Sequence, residues 1–167
     1  HAILFSEVPY KGFGGRFREN QVYLPGSGID IPEPDRIVEE LLKLCPIYDE
    51  LCSRGLELLG SEKKEDEILN YINDCLKLKA KIIEIHPFEN GNGRVSRTLV
   101  NYLFKLVNIP PIYVKKSEKL PYQKAMNKAI TQKDFKELNT FYYHKICDSI
   151  YELDISQRNI EERKKTR

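Results

Sequence analysis

A chain of 167 residues with 27 Lys and Arg against 25 Asp and Glu carries a formal net charge of +2, too near neutrality for nucleic acid or a membrane surface to be its main partner. Its 41% hydrophobic and 31% charged content is that of one soluble domain with a sizeable core, not of a disordered chain. No run approaches the roughly 18 apolar residues of a membrane span, and the opening HAILFSEVPY lacks signal-peptide flanks, so a cytoplasmic setting is expected, its own or a host's.

In chain order, glycines first punctuate a short extended stretch, RFRENQVYLPGSG. There Val22, Tyr23 and Leu24 favour strand and Glu19-Asn20 makes a tight turn, which predicts a small β-hairpin over about 14–27. Pro32 and Pro34 close that segment, and Pro34-Asp35 starts a helix. Ile37, Val38, Leu41, Leu42 and Leu44 form an apolar face expected to stop before Pro46, with a second helix over Ile47–Leu59. A charged turn at 61–67 leads into Ile68–Ile85, whose apolar positions keep helical spacing and include Lys79. Val95, Leu99, Val100, Leu103, Phe104 and Val107 mark the next helix, ended by Asn108 and Pro110-Pro111. Pro121–Ala129 and Asp134–Leu153 supply two more, and residues 154–167 continue as a solvated helical extension. The expected architecture is a mainly helical, all-α single domain over 1–167, with core helices at 35–153 and the hairpin beside them. The cysteines, Cys45, Cys52, Cys75 and Cys147, form no CxxC pair and read as reduced and mostly core-facing. With only three histidines, and His1 and His144 far from the third, a zinc site is not expected.

Between two of these apolar helices lies HPFENGNGRVSR, residues 86–97. Gly91, Asn92 and Gly93 fall where a helix N-terminus leaves N–H groups unpaired, and glycine lets backbone approach a ligand closely. Such a place binds an anion, phosphate above all. Arg94 and Arg97 on the first turn oppose the helix dipole, a cost that a di- or triphosphate would offset. His86, at the other lip, has the resting pKa of a general base near neutral pH. Pro87 stiffens the exit from the preceding helix, and Phe88 is expected to anchor the loop in the core. A base beside a polyphosphate cradle suggests a hydroxyl activated to attack phosphorus. Each element alone is commonly a cap, a turn or a solvated face; their joint occurrence in twelve residues favours chemistry.

The run closely resembles the signature of the Fic family, HPFx[D/E]GNGRxxR. GRFRENQVYLPG is similar to that family's flap hairpin, and RTLVNYLFKLVNIPPI and YQKAMNKAITQKDFKELNTFYYHKI to its later helices. The resemblance implies a protein adenylyltransferase that moves AMP from ATP to a Tyr, Thr or Ser hydroxyl of a target protein and releases pyrophosphate. His86 would be the base, Gly91, Asn92 and Gly93 the anion hole for the α-phosphate, Arg94 the β-phosphate ligand and Arg97 the γ-phosphate ligand. The flap at Val22, Tyr23 and Leu24 would align an extended target segment by strand addition; Tyr10, Phe13 and Tyr23 could shape target choice or simply pack. Where the family has a Mg²⁺-binding acid this chain has Asn90, a weaker ligand, with Glu89 one residue early. That leaves open weaker metal dependence, transfer of another phosphate-bearing group such as UMP or phosphocholine, or a nucleotide-binding regulatory module with weak catalysis. The family's inhibitory pattern [S/T]xxxE[G/N] has no full match in this chain, which leaves open an inhibitory partner or antitoxin in trans, an inhibitory segment elsewhere in a longer protein, or none.

Overall fold

The computed structural model describes residues 1–7, 12, 14–24, 26–60 and 65–165, with side chains described through residue 158. Tyr10, Phe13 and residues 61–64 of the expected charged turn lie outside the described residues. Six helices are present among them: α1 (Ala2–Phe5), α2 (Ile37–Gly60), α3 (Glu65–Ile85), α4 (Asn92–Leu106), α5 (Lys119–Thr131) and α6 (Lys136–Lys165), with 3₁₀ turns at Pro34–Arg36 and Lys116–Glu118. The centre is α3, which packs against α2, α4, α5 and α6. It can do so because Tyr71, Ile72, Cys75, Leu76, Leu78, Ala80, Ile82 and Ile85 bury it on nearly every side. Gly55 lets α2 close on it: a Cβ there would stand 2.6 Å from the Tyr71 hydroxyl, which donates to the Leu103 carbonyl at 3.0 Å.

Two helices expected around Pro46 are one. Ile37, Leu44, Leu51 and Leu58 are buried at a constant spacing of seven, a single stripe that runs straight through the proline. Each such side chain contributes about 1.5–3 kcal/mol on burial, against about 3 kcal/mol for proline in a helix interior. The carbonyl it leaves unbonded belongs to Leu42, which is exposed and open to water. Pro46→Ala is therefore expected to stabilise the protein by about 1–3 kcal/mol, read as a rise in the denaturation midpoint. No rise would mean that α2 is bent at this point to suit its neighbours.

The β-hairpin over 14–27 is not seen: no strand occurs among the described residues. Residues 16–24 form an irregular arm instead, held chiefly by the buried Arg18 side chain, with Gln21 Nε2 donating to the Ile31 carbonyl at 2.9 Å. Arg18 donates to the His86 carbonyl at 2.9 Å, to the Asn20 carbonyl and Gln21 Oε1 at 3.0 Å each, and to the Pro32 carbonyl. Its own N–H donates to the Pro87 carbonyl at 3.0 Å. One arginine fork thus ties the arm at Asn20 to the backbone at Pro32 and His86. The cysteines differ too: all four are free and only Cys75 is buried, whereas Cys45 and Cys147 are exposed and Cys52 is half-buried. Helix geometry sets those two at the surface.

Candidate active site

The chain leaves α3 at His86, whose φ of 50° is left-handed and unusual for a residue before proline. Arg18 holds that peptide in place through the His86 and Pro87 carbonyls. Pro87 is fully buried. Phe88 packs outside the main core, stacked on the His1 ring (centroids 3.8 Å, interplanar 3°) and tilted against Phe17. Asn92 closes the loop: its Oδ1 accepts from the Phe88 N–H at 2.9 Å and its Nδ2 donates to the Phe88 carbonyl at 2.6 Å. Its side chain is thereby spent on structure, and its main-chain N–H remains at the helix start. Gly91, φ 87°, precedes α4. A Cβ there would lie 2.7 Å from the Phe5 ring and 3.3 Å from His1 Nε2, so both conformation and contact demand glycine.

His86, Gly91, Gly93, Arg94 and Arg97 all line one cavity of about 510 Å³, together with Leu24 from the arm and residues of the α4–α5 connection and α5. The imidazole's Nδ1 is buried without a hydrogen-bond partner. Burial lowers the His86 pKa below its ordinary value, the Ile83 carbonyl opposes this, and the Arg18 charge adds to the lowering. Arg94 sits 4.6 Å over the Phe5 ring. Arg97 lies against Gly93 and beside Tyr122, whose phenol burial pushes up to about 12.

Several residues at this site carry no mark in the sequence pattern. His1 is far from the loop in sequence, yet its Nε2 contacts the Asn90 carbonyl at 2.9 Å and its Nδ1 accepts from the Gly15 N–H at 2.9 Å. Lys115, Lys116 and Lys119 also line the cavity, with no carboxylate among its lining residues, and the Lys115 ammonium lies 3.9 Å from Glu152 of α6. Their KK-x-x-K clustering was visible; its position was not. Beneath α4, Lys79 is wholly buried.

The donor set at Asn90 does not fit a Mg²⁺ ion. Its Oδ1 accepts from the Gly91 N–H at 2.7 Å and from Arg94 at 3.5 Å, so its acceptor capacity is engaged and a guanidinium stands beside it. Glu89 is exposed, and no cluster of three or more His, Cys, Asp or Glu side chains suited to a metal occurs among the described residues. No helix among them is long and apolar enough to cross a membrane.

A family model described as the Fic/DOC family matches residues 1–104, more than half of the chain. Curated relatives are the proteins named Protein adenylyltransferase Fic of Drosophila mojavensis and Drosophila melanogaster, each 33% identical over 109 residues, which is 65% of this chain and 19% of theirs. That of Drosophila persimilis is 32% identical over the same length, 18% of its own. The chain matches about a fifth of the length of these relatives.

Proposed function

The chain belongs to the Fic/DOC family, and from that membership we propose that it is a protein adenylyltransferase, transferring AMP from ATP to a hydroxyl side chain of a target protein. The observation that carries the reading is the convergence of His86, the glycine-lined start of α4, Arg94 and Arg97 on one cavity. His86 takes the proton of the target hydroxyl through the ring nitrogen opposite Nδ1. The hydroxyl oxygen then bonds the α-phosphorus, and the bond from phosphorus to the bridging oxygen breaks as pyrophosphate leaves. Main-chain N–H groups at Asn92 and Gly93, with the dipole of α4 behind them, stabilise charge gathering on the α-phosphate oxygens. The Gly91 N–H is engaged by Asn90 Oδ1 and does not join them. Arg94 takes the β-phosphate and Arg97 the γ-phosphate, with planar forks suited to paired oxygens.

The arm supports target docking at Val22, Tyr23 and Leu24: it carries no cross-strand ladder, Tyr23 is 81% exposed, and Leu24 reaches the cavity. A target segment would add to it as a strand, through main-chain bonds. Among phosphate-bearing donors, a lining whose charged side chains are cations favours a nucleoside triphosphate over a phosphocholine donor, whose own ammonium they would repel.

Incubation with ATP and candidate target proteins, read by mass spectrometry, is expected to add one AMP mass to a hydroxyl residue; no adduct under any condition would overturn the activity. Transfer by the parent is expected to persist when EDTA replaces Mg²⁺, and Asn90→Asp to acquire a Mg²⁺ dependence. A parent that is inactive in EDTA would show that the Asn90 oxygen is released to a metal.

A further inference from the structure

Lys79 projects from the middle of α3 into the protein directly under the first turn of α4. It is fully buried, and its Nζ donates to Ser96 Oγ at 3.1 Å; that hydroxyl in turn donates to the Gly93 carbonyl at 3.2 Å. A side chain of opposite charge would be the usual companion of a buried lysine. None is present: among the described residues no carboxylate lies within ion-pair distance of it. From α4 it is faced by the Ser96 hydroxyl and the Arg97 guanidinium, and from α5 by the Tyr122 ring, 5.8 Å from Nζ. Tyr142 of α6 reaches it only through Tyr122, and α2 buries no titratable side chain. The one charge acting on Lys79 is therefore of its own sign.

One acceptor suffices for a neutral amine, whereas an ammonium has three N–H groups to satisfy. A dry ammonium with two unmet donors beside a guanidinium is costly. Burial, and after it the Arg97 charge, hold the Lys79 pKa well below its ordinary value. A polyphosphate on the α4 N-terminus changes this balance at short range. It neutralises Arg97 and sets negative charge on Gly93, two hydrogen bonds from Nζ.

Resting on the reading of this cavity as a polyphosphate site, we propose that Lys79 is a titrating positioning residue: neutral while no anion occupies the α4 N-terminus, and protonated when a polyphosphate binds there. The proton comes from solvent, and the new charge lies directly behind the loop that holds the phosphates. Binding is then linked to proton uptake and weakens as pH rises, by up to about tenfold per pH unit, the limit for one linked proton.

Calorimetric titration of ATP without metal at pH 8.5, in two buffers of different ionisation enthalpy, tests this. The parent protein is expected to give binding enthalpies that differ between buffers with the sign of proton uptake. Lys79→Met is expected to lose that difference, to bind ATP several-fold more weakly, and to melt no lower than the parent. Lys79→Gln keeps a donor for Ser96 but cannot titrate, and is expected to lose the buffer difference as well. Protonation of the nucleotide itself is common to all three proteins and cancels in the comparison. Binding with the same buffer difference in parent and variants, or with none in the parent, overturns the proposal and leaves the site intact. Absence of ATP binding by the parent overturns the site reading and this proposal with it.

Discussion

Replacing His86 with alanine is expected to lower AMP transfer by about 10²–10⁴-fold, the usual contribution of a positioned general base, while ATP binding persists. The two readouts separate because His86 lines the cavity from the end of α3, whereas the proposed phosphate ligands Arg94 and Arg97 lie on α4. A regulatory nucleotide binder would lose nothing in partner recognition from this change; an enzyme loses turnover. The pH profile of the parent gives an independent check. Only the neutral imidazole accepts a proton, so the rate falls as pH drops through the His86 pKa. Burial, reinforced by Arg18, has lowered that pKa, and the acid limb of kcat/KM is expected below the ordinary histidine value of about 6.5. A limb at or above that value would remove His86 as the titrating base.

Arg18→Met is expected to cost about 3–5 kcal/mol of stability, because a buried guanidinium is removed and its acceptors lose their partner. Those acceptors are the carbonyls of Asn20, Pro32 and His86 and the Gln21 amide oxygen. For a protein of this size that loss corresponds to a fall of roughly 10 °C in the melting midpoint. The effect reaches the chemistry through His86, whose left-handed peptide Arg18 grips by its carbonyl. Arg18→Met is also expected to move the acid limb of the rate profile upward, since one contribution lowering the His86 pKa is gone. A variant as stable as the parent, with an unmoved limb, would show that the arm is held by contacts other than Arg18.

Relatives covering so small a share of their own length carry the family and the expectation of adenylyl transfer, but not the targets or the regulation of a longer protein. The cavity speaks more directly to substrate class. Arg94, Arg97 and lysines of the α4–α5 connection and α5 line it, with a neutral amide at position 90, and under the proposed reading these groups would meet phosphate charge without a metal-binding acid.

The amino-acid sequence by itself determined the helical class, the place of α3 through α6, and a loop carrying a histidine, closely spaced glycines and two arginines. Those features are local: helical periodicity repeats within a few residues, and the twelve residues of HPFENGNGRVSR supply their chemistry side by side. It could not decide between a break and a continuous helix at Pro46, because the answer lay in whether a stripe of four buried side chains found a partner surface. The tertiary structure alone decided that Arg18 clamps an arm where a hairpin was expected, 68 residues in sequence from the carbonyl it holds. It alone placed His1 on a loop 89 residues away, and gave Lys79, which helical spacing had already set on the apolar face, Ser96 of α4 as its acceptor. Contacts of that kind arise from close packing of distant segments, and periodicity along the chain does not encode which partners a buried polar side chain will meet there.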